Sequence, residues 1–139
     1  MTQPHPLENW KSYLTQDDYH YLIQYIENIK QTISNDKMII LSGPSRSGKS
    51  TLKRDIQTYL GNETCGVYMM SGDIIYEENI KKLGFFCDIG EISNSKKNNI
   101  AIINLIKYKQ SFIADTNHIE RVNHTLLDFS RIIQMEHVF

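Results

Sequence analysis

The chain has 139 residues, a formal net charge of −1 and 40% hydrophobic residues, a composition typical of one globular domain and not of a disordered chain. Its two cysteines, Cys65 and Cys87, form no disulfide framework, so we expect a reducing, cytoplasmic environment. The nearly neutral charge argues against a cationic protein that coats nucleic acid, and no apolar run approaches the ~18 residues of a membrane helix, so we expect no membrane partner.

The N-terminal region is predicted to be an arm over residues 1–14 followed by an amphipathic helix over residues 16–33, with Thr15 as its N-cap. Apolar side chains recur in this helix at helical spacing, at Leu22, Ile26, Ile29 and Ile33. A turn at Ser-Asn-Asp then ends the region. We therefore divide the chain into an N-terminal arm and helix, residues 1–36, and a core, residues 37–139.

Five short apolar runs in the core alternate with helical segments. The runs predict strands at residues 37–42, 66–71, 84–88, 111–115 and 131–135. The helical segments cover residues 51–60, 77–83, 99–106 and 122–129. Because this alternation is typical of βαβ units, we predict an α/β fold with a parallel five-stranded sheet flanked by helices, preceded by the N-terminal helix.

The most specific motif follows the first predicted strand. Residues 43–50 read Gly-Pro-Ser-Arg-Ser-Gly-Lys-Ser and match the phosphate-binding loop (P-loop) pattern G-x-x-x-x-G-K-[ST]. Gly43 and Gly48 permit a backbone path that turns N–H groups toward phosphates, and the helix that follows adds its positive N-terminal dipole. Lys49 is predicted to reach the β- and γ-phosphates and Ser50 to bind Mg²⁺. The predicted contacts to ATP are Gly43, Pro44, Ser45, Arg46, Ser47, Gly48, Lys49, Ser50 and Thr51.

P-loop enzymes also place an acid at a strand end to hold the Mg²⁺ shell, and Asp73, Asp88 and Asp115 are the candidates here. In the first interpretation Asp88 ends a Walker B-like strand and Glu91 polarises the attacking water. Asn117, at the next strand end, would then sense the γ-phosphate, although Asn at such a place also commonly caps a turn.

Taken together, the P-loop, the run ending at Asp88, Thr116-Asn117 at a strand end and Ser130-Arg131 before the last strand resemble the AAA+ ATPase core. Within it they are similar to viral superfamily 3 helicases of the poxvirus and giant-virus primase-helicase type. The resemblance implies ATP hydrolysis with Mg²⁺ on Ser50 and Asp88, and Arg131 as an arginine finger for a neighbouring subunit. It implies a homo-oligomeric ring that translocates on single-stranded nucleic acid in viral or plasmid-like replication, in the host cytoplasm.

This chain departs from that pattern in two respects. Walker B acids are usually adjacent, whereas Asp88 and Glu91 are separated by Ile-Gly. The segment that carries a DNA-contacting loop in the family is short here. Its basic residues, which either contact nucleic acid or form a solvated face, are Lys96, Lys97, Lys107 and Lys109.

A second resemblance concerns Asp73. The run from Val67 to Asp73 is similar to the strand that positions the substrate-side acid in small P-loop kinases such as adenylylsulfate kinase and polynucleotide kinase. It implies that Asp73 accepts the proton of the acceptor hydroxyl. Tyr76 stands where these kinases have a basic residue, and this interpretation makes residues 84–88 a loop. We therefore favour the ATPase over the kinase, with a nucleotide-binding module without turnover as a third possibility.

Overall fold

A computed structural model of the chain describes residues 5–68, 82–86 and 89–135. Five helices are present in these ranges: α1 (Gln16–Lys30), α2 (Lys49–Leu60), α3 (Ile89–Ile92), α4 (Lys96–Lys107) and α5 (His124–Leu127). The strands are β1 (Met38–Ser42), β2 (Cys65–Tyr68), β3 (Leu83–Phe86), β4 (Ser111–Thr116) and β5 (Ser130–Gln134). Short 3₁₀ helices cover Glu8–Ser12 and Ile119–Arg121.

The five strands form one parallel sheet in the order β2-β3-β4-β1-β5, which confirms the predicted fold class. The P-loop strand β1 lies between β4 and β5, and Leu41 pairs with both Asp115 and Ile133. Residues 83–86 pair with β2 and β4. The loop that the kinase interpretation implied at residues 84–88 is therefore wrong for residues 84–86, and residues 87 and 88 lie outside the described ranges.

Both faces of the sheet are covered, as a parallel sheet requires. Along β1, the side chains of Ile39 and Leu41 belong to the hydrophobic cluster on the side of α1 and α2. Met38 and Ile40 belong to the cluster on the side of α4 and α5. This alternation explains why the strand reads as a continuous apolar run in the sequence.

The N-terminal region packs on the α2 side of the sheet. Leu7 and Trp10 of the arm lie in the same hydrophobic cluster as α1 and β1. The Trp10 indole Nε1 donates to Asp55 Oδ2 at 2.8 Å, and His5 Nε2 lies 2.8 Å from Glu27 Oε1. The arm is thus attached to α1 and α2 by apolar packing and hydrogen bonds. The division of the chain into an N-terminal region, residues 1–36, and a core, residues 37–139, stays a prediction.

Helices α1, α2, α4 and α5 all differ in their limits from the prediction, and the cause is clearest for α1 and α4. Helix α1 ends at Lys30 and not at residue 33, because Thr32 adopts a left-handed φ of 60° and Ile33 is 50% exposed. Helix α4 begins at Lys96 and not at residue 99, because the Ser95 hydroxyl caps it by accepting from the Asn98 N–H. No helix in the described part of the chain is long and apolar enough to cross a membrane.

The Tyr25→Phe variant is expected to unfold more easily, because the Tyr25 hydroxyl joins α1 to the sheet. This side chain is 2% exposed; its hydroxyl donates to Lys37 O at 2.7 Å and accepts from Phe112 N at 3.1 Å. Its loss leaves a buried N–H without that acceptor, at a cost of about 1–3 kcal/mol. Urea unfolding would measure the change. Tyr108→Phe, at a site 85% exposed, is the control, and equal unfolding midpoints for the two variants would contradict the prediction.

Candidate nucleotide-binding site

The loop between β1 and α2 needs its two motif glycines for different reasons. A Cβ atom on Gly43 would lie 2.0 Å from the carbonyl oxygen of Met135, so any side chain there collides with the backbone after β5. Gly48 is the N-cap of α2 and has a φ of 93°, a conformation that favours glycine. Arg46 also adopts a positive φ of 66°, so the loop holds one non-glycine residue in a conformation that side chains disfavour.

The ammonium of Lys49 is held by the loop itself. Its Nζ donates to Gly43 O at 2.6 Å, to Pro44 O at 2.7 Å and to Ser47 Oγ at 3.2 Å. Burial lowers the pKa of Lys49, the carboxylate of Asp115 raises it and the ammonium of Lys53 lowers it. A phosphate oxygen is a stronger acceptor for this ammonium than a neutral carbonyl, so the side chain is poised to exchange loop carbonyls for phosphate.

An open cleft of about 460 Å³ lies between the loop, the start of α2 and the carboxyl end of β4. It is lined by the predicted loop residues Ser45, Arg46, Gly48, Lys49, Ser50 and Thr51, together with Asp115 and Asn117. The carboxyl end of the strands is the usual place for ligands in such sheets. The cleft therefore combines most of the predicted P-loop with two polar residues of the neighbouring strand end.

Of the three candidate acids, Asp115 is the one within the described part of the chain, and it lines this cleft. It follows Ile113 by two residues on β4, so its side chain projects from the face that α2 covers. Asp115 Oδ2 lies 2.6 Å from Nζ of Lys53, on the second turn of α2. The sequence did not single out Lys53; the available signal was its spacing of four residues from Lys49, which puts both lysines on one face of the helix.

Asn117 lies beside the P-loop, where its Nδ2 donates to Ser45 Oγ at 3.3 Å. Of the other predicted residues, Asp73 and Asp88 lie outside the described ranges. Glu91 belongs to α3, which packs against the end of β4, since a Cβ on Gly90 would lie 3.1 Å from Thr116 Oγ1. Among the described residues, Asn117 therefore contacts the P-loop through its side chain and Thr116 through its backbone carbonyl, which accepts from Gly43 N. Asp115 contacts Lys53 of α2.

Arg131 lies away from the cleft. It is part of β5 and pairs with Ile39, near the start of β1, rather than with the end that meets the loop. Its Nη2 lies 3.0 Å from Asp18 Oδ1, and its guanidinium lies 4.9 Å from the centre of the Tyr21 ring. The ion-pair partner of Arg131 is thus Asp18 of α1, which the packing of α1 on the sheet brings to β5. The arginine-finger role stays a prediction.

The residues of the cleft fit ATP and Mg²⁺. The Ser50 hydroxyl and the Asp115 carboxylate are oxygen donors of the kind that Mg²⁺ prefers, and both line the cleft that holds Lys49. Lys49, Arg46 and the N-terminus of α2 provide positive charge for phosphates.

The fold is similar to solved AAA+ structures, at identities that show the fold alone. A mutant RuvB of Thermotoga maritima has a TM-score of 0.63 at 16% identity, covering 90% of this chain and 46% of that one. The AAA domain of FIGL-1 in complex with ADP has a TM-score of 0.58 at 10% identity, with coverages of 91% and 55%. A katanin structure has a TM-score of 0.56 at 14% identity, with coverages of 98% and 60%. The chain spans about half the length of these proteins.

Sequence comparison gives a narrower result. A search of curated proteins found no match. Residues 35–119 match the family model of adenylylsulphate kinase. This range runs from the turn before β1 to the segment that follows β4, so it includes the P-loop, Asp73, Asp115 and Asn117. The chain is therefore a P-loop nucleotide-binding domain and belongs to the adenylylsulphate kinase family.

Proposed function

We propose that the chain binds ATP with Mg²⁺ in the P-loop cleft and transfers the γ-phosphoryl group to a hydroxyl of an acceptor. The family match over residues 35–119 carries this proposal, because it unites the P-loop with the segments that contain Asp73 and Asp115. The cleft supports it, since Lys49, Asp115 and Asn117 line one space at the carboxyl edge of the sheet.

The chemistry assigned to these residues is mainly positioning and charge stabilisation. Lys49 and the loop N–H groups hold the β- and γ-phosphates, and Asn117 contributes a hydrogen bond near Ser45. Asp73 takes the proton of the acceptor hydroxyl, whose oxygen bonds to the γ-phosphorus as the bond to the ADP oxygen breaks. When bound, Mg²⁺ neutralises charge on the phosphate oxygens, and Ser50 and Asp115 are the residues of the cleft that would hold it.

A second candidate function is ATP hydrolysis by a AAA+-type motor, which the observed strand β3 between β2 and β4 favours. In this reaction water replaces the acceptor, Asp88 holds Mg²⁺, Glu91 orients water and Asn117 senses the γ-phosphate. Arg131 would act in a neighbouring subunit of a ring. One RuvB structure is described as a Holliday junction branch migration motor; for this chain, single-stranded nucleic acid as partner is part of this second proposal.

The two proposals differ in where the γ-phosphate goes. ATP labelled on that phosphate would be incubated with the purified chain and Mg²⁺, with adenylylsulfate or a 5′-hydroxyl oligonucleotide as acceptor. We expect label in an acceptor, with transfer lost in Asp73→Asn and kept in the matched variant Asp88→Asn. Free phosphate that rises with single-stranded DNA and is lost in Asp88→Asn would support the motor instead. ATP binding without any release of label would contradict both and leave a binding module.

A further inference from the structure

A buried ion pair lies beside the phosphate-binding lysine. Lys53 Nζ and Asp115 Oδ2 are 2.6 Å apart, and their side chains are only 11% and 15% exposed. Lys53 comes one helical turn after Lys49 on α2, and Asp115 lines the cleft together with Ser50. Groups with so little exposure are poorly screened by solvent, so their charges act strongly on whatever occupies the cleft.

Lys49 and Asp115, charged groups of opposite sign in the cleft, have different hydrogen-bond partners. Lys49 donates to the carbonyl oxygens of Gly43 and Pro44, whereas Asp115 accepts from Lys53. If Asp115 turned to Lys49 instead, the ammonium meant for phosphate would be neutralised by a carboxylate. The contact with Lys53 therefore leaves Lys49 available to phosphate while it fixes the carboxylate at the edge of the cleft.

We propose that Lys53 is a positioning residue that holds the Asp115 carboxylate beside Ser50 and competes with Mg²⁺ for it. This inference rests on the proposed binding of ATP with Mg²⁺ in the cleft. Because Lys53 lies one helical turn from the phosphate-binding Lys49, its positive charge favours ATP that arrives without metal. Because it occupies an oxygen of Asp115, it opposes the metal ion. Lys53 thus reduces the dependence of ATP binding on Mg²⁺.

The inference gives Lys53 a double signature that a purely structural lysine lacks. Replacing it by the uncharged Lys53→Met makes the cleft more negative by one charge. Binding of metal-free ATP, a polyanion, should weaken, whereas binding of the cation beside Asp115 should strengthen. Lys53→Arg keeps the charge and should behave like the unaltered chain. Asp115→Asn removes the carboxylate and should abolish most of the effect of Mg²⁺, whether residue 53 is Lys or Met.

The test is the dissociation constant of a fluorescent ATP analogue, measured with Mg²⁺ and with EDTA for each variant. The quantity compared is the dissociation constant with EDTA divided by the dissociation constant with Mg²⁺, which measures how far Mg²⁺ strengthens binding. We expect Lys53→Met to raise this ratio at least about fivefold, a modest coupling between two sites, and Lys53→Arg to leave it unchanged. Thermal unfolding of each variant identifies the folded samples. If Lys53→Met does not fold, the double variant of Lys53→Met and Asp115→Asn is used, because it removes both charges of the ion pair. It is compared with Asp115→Asn alone.

Three results would overturn the inference while leaving the proposed function in place. Lys53→Met could change affinity by the same factor with and without Mg²⁺, which would make Lys53 a general contributor of charge. Asp115→Asn could leave the effect of Mg²⁺ intact, or the double variant could raise the ratio by the full factor of about five over Asp115→Asn, so that the carboxylate is not what Lys53 acts through. A wild-type chain that binds no nucleotide under either condition fails at an earlier step, because it overturns the proposed function and this inference with it.

Discussion

Replacement of Lys49 by methionine is expected to lower kcat/KM for phosphoryl transfer or hydrolysis by about 10²–10³-fold, the loss typical of removing one preorganised charge-stabilising donor. The ammonium is already desolvated and held at 2.6 Å from Gly43 O and 2.7 Å from Pro44 O. Little reorganisation is therefore needed when phosphate replaces these carbonyls. Methionine retains most of the apolar stem of lysine but can donate no hydrogen bond. Initial rates over a range of ATP concentrations would measure the loss.

The matched control for this variant is Lys37→Met, which removes an exposed lysine at the other end of β1. We expect its rate and its ATP affinity to stay near those of the unaltered chain. The fold should tolerate Lys49→Met, because Pro44 is exposed and Gly43 half-buried, so that water can reach the carbonyls that Lys49 releases. Equal loss of activity in both variants, or Lys49→Met with unaltered activity, would exclude Lys49 as the phosphate-binding residue.

The fold could be predicted because its determinants are local. Strands β1 and β4 are continuous apolar runs, and the P-loop pattern fixes the boundary between β1 and α2. Where local chemistry is weaker, the prediction fails at the ends of elements. The apolar spacing that includes Ile33 suggested three more residues of helix, but α1 ends at Lys30 and the backbone turns at Thr32.

The site could be predicted only in part because several of its contacts join distant residues. Lys53 and Asp115 are 62 positions apart, and Asp18 and Arg131 are 113 apart. Which helix faces Asp115 depends on the order of the strands in the sheet, and no single segment of the sequence determines that order. The P-loop was identifiable because its residues are consecutive and each fixed position has a steric or charge requirement, as Gly43 shows against Met135 O.

Only short motifs in the sequence distinguish an ATPase from a kinase. The family match and the pairing of β3 favour different sides of this choice. The family match gives weight to the kinase resemblance, although the sequence favoured the ATPase. The presence of β3 as a paired strand is the feature that the ATPase interpretation required. A strand-forming run such as Leu-Gly-Phe-Phe reports burial in a sheet, whereas the identity of the reaction depends on acids at strand ends, including Asp73 and Asp88.

Removal of residues 1–36 is expected to prevent folding, so that residues 37–139 alone do not form a stable domain. The removed region contributes eight buried apolar side chains to the cluster on the α2 side of the sheet: Leu7, Trp10, Leu14, Tyr19, Leu22, Tyr25, Ile26 and Ile29. Burial of each such side chain stabilises the folded state by about 1.5–3 kcal/mol. Their combined loss, about 12–24 kcal/mol, is comparable to or larger than the ~5–15 kcal/mol by which a typical domain is stable.

Circular dichroism and amide NMR spectra of the truncated and full-length chains would measure this effect. We expect the truncated chain to lack dispersed amide signals and a cooperative thermal transition, because Ile39 and Leu41 of β1 would lose the part of their cover that the N-terminal region provides. A folded truncated chain that still binds ATP would instead establish residues 37–139 as an independent core. If the truncated chain does not fold, the N-terminal helix is required for nucleotide binding, because β1 carries the P-loop at its end. The helix would then be required although it contributes no residue to the P-loop cleft.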